Sequence, residues 1–161
     1  MRTITIESNG RIEKTAVYVN GEQISGIREL LISIDEEGTF NAILSFIGIT
    51  GELHTKQLFT EDLSTMKRKE ASFTEIEAQE LRSITIESDG TLDNTTVLIN
   101  NEFAEGIISL SMHILIDMQQ QSHKSFLKRL FSKEQSFNET RFITEIVFRN
   151  PDGSEQIETI F

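Results

Sequence analysis

The chain has 161 residues, with 26 acidic against 15 basic side chains, a net charge of −11 and no cysteine. The lack of cysteine excludes disulfides, thiol nucleophiles and thiolate metal sites, and the negative charge disfavours ordinary binding to a phosphate backbone. Apolar runs of only a few residues exclude a membrane-spanning helix. No apolar leader precedes the first strand-like stretch, so a reducing cytoplasm is the expected compartment.

Taken in order, residues 2–7 alternate, with Ile4 and Ile6 on one face and Thr3, Thr5 and Glu7 on the other, which predicts a half-buried strand. Ser8-Asn9-Gly10 supplies turn residues. Val17 and Val19 alternate again, and Asn20-Gly21 between AVYV and EQI is a strong hairpin signal. After Gly26, residues 27–35 alternate with Leu30, Ile32 and Ile34 inward. Asp35-Glu36-Glu37-Gly38 turns the chain into residues 39–49, where Phe40, Ala42, Leu44 and Phe46 share a face. Thr50-Gly51 turns, and residues 52–59 close the unit. This is an antiparallel meander of about six short strands, a small β-sandwich or half-barrel. Residues 60–81 are polar and read as a linker without functional content. They carry one or two helical turns, Thr74 and Glu77 having the spacing of a capping box.

Residues 83–110 then repeat residues 3–30 without a gap at a shift of 80, and 13 of the 28 positions are identical. Asn100-Asn101 replaces Asn20-Gly21, and Asn also tolerates the left-handed region. After residue 117 the shift becomes 102: Phe46 aligns with Phe148, Gly51 with Gly153, Leu58 with Ile160 and Phe59 with Phe161. The difference is an insertion of 22 residues near 118–140. The expected fold is all-β: two tandem homologous small antiparallel β-sandwich or half-barrel units, 1–59 and 82–161, joined by the linker 60–81. A unit this small is marginal alone, so the two are expected to share a core with pseudo-twofold packing. Strands 52–59 and 154–161 are placed at the join.

The insertion is the one unrepeated feature. Residues 122–133 read SHKSFLKRLFSK, with Phe126, Leu127, Leu130 and Phe131 along one helical stripe and Lys124, Lys128, Arg129 and Lys133 around it. This predicts a short basic amphipathic helix. Its stripe either caps the protein's own sandwich or enters a partner's groove. In the second reading the partner-binding residues are Phe126, Leu127, Lys128, Arg129, Leu130 and Phe131. Binding to a membrane surface is the weakest reading, because the acidic body is repelled by anionic lipid.

Elsewhere the residues carry little chemistry. His54, His113 and His123 have no metal-ligand spacing, and the acidic turns lack the alternating ligands of a calcium loop. No Gly-rich phosphate loop and no nucleophile elbow occurs. With no Trp and one Tyr, there is little to stack a sugar ring. No catalytic residue, metal or cofactor is expected, and the protein is not read as an enzyme.

The pattern ITIES(N/D)G…TxVxxN…GI runs through residues 4–10, Thr15, Val17, Asn20, Gly26 and Ile27, and returns in the second repeat. In it the chain resembles short β domains of uncharacterised phage and prophage proteins. The resemblance implies a small β module of mobile-element origin with no assigned chemistry. The expected function is a non-catalytic interaction protein that binds a protein partner through the second repeat's insertion or the acidic faces. Direct nucleic-acid binding is not expected, and homo-oligomerisation stays open. Two alternatives stand beside it: an acidic nucleic-acid mimic that inhibits a nuclease or DNA-binding protein, and a small-ligand binding or sequestering protein with a pocket at the repeat interface.

Overall fold

The computed structural model describes residues 1–116 and 140–161. The described strands are β1 (Arg2–Ser8), β2 (Thr15–Val19), β3 (Glu22–Ser25), β4 (Ile27–Asp35), β5 (Phe40–Ile47), β6 (Leu53–Gln57) and β7 (Lys67–Arg68). One helical turn, α1 (Glu75–Gln79), leads to β8 (Arg82–Ser88), β9 (Thr96–Ile99), β10 (Glu102–Phe103), β11 (Ile107–Leu115), β12 (Arg141–Arg149) and β13 (Glu155–Thr159). They form two antiparallel sheets, of order β10-β9-β8-β1-β2-β3-β7 and β13-β12-β11-β4-β5-β6.

Alternation decides which side chains meet between the sheets. Ile4, Ile6, Ile84 and Ile86 from the first sheet face Leu30, Ile32, Leu44, Phe46, Leu110, Met112, Ile114 and Ile146 from the second, all buried. Each such side chain contributes roughly 2 kcal/mol by leaving water. The predicted inward residues of β4 and β5 are thus core residues, with Phe40 partly buried beside them.

The join lies elsewhere than the sequence suggests. Strands β6 and β13, which lie within 52–59 and 154–161, are the two outermost strands of the six-stranded sheet. Their side chains are largely exposed, and all five residues of β13 are. A strand with so little to bury suits an edge. The centre is taken by strands with continuous inward apolar rows. β1 pairs with β8 so that Thr5 lies opposite Thr85, and their hydroxyls are 3.0 Å apart. β4 pairs with β11 so that Ile32 lies opposite Met112. In both pairs the central residue faces the residue 80 positions on.

Corresponding details recur on the two sides. Asn20 (φ 50°) and Asn100 (φ 50°) hold the hairpin turns, followed by Gly21 and Asn101, both also left-handed. Their side-chain oxygens accept from Thr3 N at 2.9 Å and Ser83 N at 3.0 Å. Phe40 and Phe59 meet edge-to-face at 5.9 Å, and Phe142 and Phe161 do so at 5.8 Å. Gly26 and Gly106 have left-handed φ, and a Cβ there would meet the carbonyl oxygens of Ile47 at 2.7 Å and Arg149 at 2.9 Å. Only glycine lets β4 and β11 approach these neighbours so closely.

Residues 60–81 do more than link. The capping box forms, with the Glu77 N–H donating to Thr74 Oγ1 at 3.2 Å. Upstream of it, Leu63 and Met66 are buried, and β7 adds to the edge of β3. The stretch is part of the sandwich because its apolar residues have a core edge to close.

Candidate functional site

Ser8 is fully buried. Its hydroxyl accepts from Gly10 N at 2.9 Å and lies 2.7 Å from Thr15 Oγ1. Thr15 in turn donates to Arg11 O at 2.6 Å, so Ser8 is the donor to Thr15. The same chain runs from Gly90 N through Ser88 and Thr95 to Thr91 O. Asn9 and Asp89 accept from the backbone two residues on. These hydrogen bonds satisfy buried polar groups in a turn, so folding accounts for this part of the motif.

The two hairpin ends differ more. At the first, Ile24 on β3 is 5% exposed. Residues 65–73 lie across it: Arg68 pairs with Ile24 and Lys67 with Ser25, and Lys69 N donates to Gln23 O at 3.0 Å. The Gln23 side chain is clamped by Ser72, donating to its Oγ at 2.8 Å and accepting from its N–H at 2.7 Å. Arg68 also pairs with Glu22 at 2.7 Å. Ile49 N donates to Thr65 O at 3.0 Å, so this segment ties the edges of both sheets together.

At the second end no described strand lies outside β10. The residues 80 positions after Gln23, Ile24 and Ser25 are Phe103, Ala104 and Glu105. Phe103 is 73% exposed. With Ala104 where the first end has Ile24, and no described strand outside it, the second end has a groove of about 460 Å³. Its matching groove at the first end is about 230 Å³ and has Lys69 in its lining. The larger groove is walled by Leu92, Val97, Ile107 and Leu110 from the second repeat and Ile34 from the first, with Asp35, Glu36 and Glu105 on its rim.

The rim charges are not equivalent. Glu36 is held in a two-pronged pair by Arg149, at 2.7 and 3.0 Å, which keeps its carboxyl below the usual range. Asp35 is likewise lowered, by hydrogen bonds from Thr39 first and then from the turn backbone. The Asp35 carboxylate thus serves the β4–β5 turn, and that of Glu36 ties the turn to β12. Glu105 and, beside it, Glu102 are exposed and have no ion-pair partner among the described residues.

The predicted partner-binding residues Phe126, Leu127, Lys128, Arg129, Leu130 and Phe131 lie outside the described residues, as does His123. The flanks of the insertion are described: Leu115 at the end of β11 pairs with Arg141 at the start of β12. β11 has nine residues, about 27 Å of strand, and the groove lies at its other end. His54 stacks on Phe46 at 5.3 Å, and His113 lies 3.3 Å from Glu29 across β4. Three strand spacings, about 14 Å, separate the two histidines' strands. Among the described residues no group of three or more His, Asp or Glu is arranged to hold a metal ion.

Sequence reasoning passed over Phe103, Ala104 and Glu105. The signal was present in the repeat itself: a buried-type position, Ile24, becomes Ala104, and a neutral edge residue, Ser25, becomes Glu105. Such departures mark where two otherwise matching units stop sharing a surface. No family model, curated protein or solved structure matches this chain.

Proposed function

We propose that this protein is a non-catalytic protein-interaction module. Two copies of one β unit pack about a pseudo-twofold axis, and the open, acid-rimmed groove at the second hairpin end receives a protein partner. The axis is supported by the pairing of Thr5 with Thr85 and Ile32 with Met112. The observation that carries the interaction reading is the contrast at positions 24 and 104: the same edge is covered by β7 at one end and by no described strand at the other, where Phe103 stands exposed. Exposed aromatic side chains beside an apolar groove are the usual anchors of protein interfaces. The insertion at 118–140 is a second candidate surface of the same module. The resemblance to phage and prophage β domains supports a mobile-element origin.

A second reading is favoured by one observation. The groove draws its walls from both repeats, and about 460 Å³ lies within the size range of small-molecule sites. A small apolar ligand there would raise the melting temperature in proportion to its affinity.

The test is affinity capture from the host's lysate with three proteins: the intact chain, a variant lacking 120–138, and a groove variant, Phe103→Ser with Ala104→Ile. A partner kept by the deletion and lost by the groove variant places the interaction in the groove. The opposite result moves it to the insertion. No partner, with a melting shift on a metabolite panel that Ala104→Ile abolishes, replaces the interaction reading by the ligand reading.

A further inference from the structure

We infer that the groove's occupant is an extended, basic segment of another protein, added as an antiparallel strand to the edge of β10, outside which no described strand lies. The inference rests on the interaction reading above and names the kind of partner.

The molecule carries its own precedent. Residues 67–69, Lys-Arg-Lys, add to β3 in this manner. Arg68 lies opposite Ile24 and Lys67 opposite Ser25, the Lys69 N–H bonds the Gln23 carbonyl, and Arg68 reaches Glu22 at 2.7 Å. β10 repeats the arrangement of β3. Phe103 pairs with Leu98 and Glu102 with Ile99, as Gln23 pairs with Tyr18 and Glu22 with Val19. An incoming strand in the same register sets a basic residue beside Glu102, the counterpart of Glu22. It sets another directly opposite Glu105, where the first end has only the neutral Ser25. Opposite charges directly across a strand pair stabilise it, so β10 is better matched to a Lys/Arg strand than β3 is. A bare strand edge with main-chain donors and acceptors is the usual acceptor for strand addition.

Two differences define the occupant further. Gln23 clamps Ser72 at the first end, whereas Phe103 presents an exposed ring. The partner therefore carries an apolar side chain a few residues beyond its basic pair. Ile49 donates to Thr65 at the first end; its counterpart, by the shift of 102, is Pro151, which has no N–H. The incoming strand is thus held by β10 alone rather than by both sheets, which suits a reversible partner in trans.

The probe is a labelled synthetic peptide of residues 60–73 with Ser72→Leu, which supplies the apolar side chain beyond the basic residues, followed by fluorescence anisotropy against the full chain. Saturable binding is expected, weakening as salt rises. Glu102→Lys with Glu105→Lys should weaken it about tenfold or more, since like charges then meet across the edge. The peptide with Lys69→Pro should lose binding, because it removes the N–H that bonds the Gln23 carbonyl at the first end and with it the counterpart bond to β10. Both protein changes are at exposed positions, so the melting temperature serves as the folding control. Peptide binding that ignores the charge reversal and the proline overturns the inference. So does binding abolished by Glu22→Gln and unchanged by Glu102→Lys with Glu105→Lys, which would mean exchange at β3. A dimer in light scattering that the charge reversal dissolves would put a second copy in the groove and overturn the assignment to another protein. If the peptide fails while the groove variant still loses a lysate partner, the interaction reading stands and only the strand-addition inference falls. If both fail, both readings fall.

Discussion

The two hairpin ends share a backbone plan and differ in what lies on it. At the first, Leu63 and Met66 are buried against the sandwich edge and Gln23 is tied to Ser72. At the second, Phe103 stands in solvent beside Ala104 and Glu105. A folding-only account needs the first arrangement twice, because an uncovered strand edge is a liability. No described strand lies outside β10, and its Phe103 is exposed, which is the contrast that the proposed interaction rests on. The difference teaches that function in a repeated fold is best sought where counterpart positions diverge in burial, not where they agree.

The comparison is broken most severely at the cover. Leu63→Ala removes a buried side chain that holds residues 62–69 on the β3 edge. A loss of about 3 kcal/mol is expected for a core truncation of this size, read by chemical denaturation. Hydrogen exchange at Lys69 and Ser72, whose amides bond Gln23, should rise with it, making the first end resemble the second. If the stability falls and those amides stay protected, the cover is held by β7 pairing alone.

Next is the agreement between the two sides. Gly26→Ala and Gly106→Ala each force a Cβ into a left-handed backbone and against a carbonyl oxygen, at 2.7 and 2.9 Å. Each should cost about 2 kcal/mol or more, with Gly26→Ala the worse. A melting temperature unchanged in one variant and lowered in the other would show that the two approaches are not equivalent.

Much of this was legible in the sequence. Alternation located β1, β4 and β5, the repeat carried them to β8 and β11, and Asn20-Gly21 with Asn100-Asn101 located the hairpins, because local turn chemistry and a period of two are short-range signals. The shift from 80 to 102 put β12 and β13 in place. What was not legible is long-range. Which strands sit at the centre depends on which edges bury more when paired, and residues 52–59 do not announce that they make an edge. Residues 62–69 look polar by average, and only the sandwich edge that Leu63 and Met66 find gives them a structural role. The groove needed both: the repeat to mark Ala104 and Glu105, and the fold to show the strand edge beside them.

A smaller asymmetry lies on the outer face of the first sheet. Tyr18 donates its hydroxyl to Glu7 Oε2 at 3.0 Å. Burial first, then the Glu7 carboxylate as acceptor and as charge, pushes its pKa up to about 12. The counterpart of Tyr18 is Leu98, so this titration belongs to one side only. A phenol held protonated in the fold contributes stability that is fully present below pH 10, its ordinary value. That contribution is lost as pH rises from there toward 12. Urea midpoints should therefore fall between pH 9.5 and 11.5 in the intact protein, by more than in Tyr18→Leu (window set by the shift from about 10 to about 12). Equal slopes in the two proteins would mean that the Tyr18–Glu7 contact does not hold in solution.

The smallest expected effect is at the turns. Gly21 and Asn101 occupy the same left-handed position, with φ of 81° and 66°. Glycine enters that region without a steric cost, whereas asparagine pays a little strain and recovers part of it through lower entropy in the unfolded chain. Asn101→Gly and Gly21→Asn should then shift stability by about 0.5 kcal/mol or less, in opposite directions. The pair isolates turn chemistry from the rest of each hairpin. β2–β3 is backed by β7 and β9–β10 by no described strand, so opposite shifts of equal size would mean that the cover and the turn act independently. A larger response in Asn101→Gly would mean that the β9–β10 hairpin relies on its turn more than the β2–β3 hairpin does. In that case a strand bound to β10 should reduce the difference, because pairing along the edge would take over the ordering that the turn alone supplies.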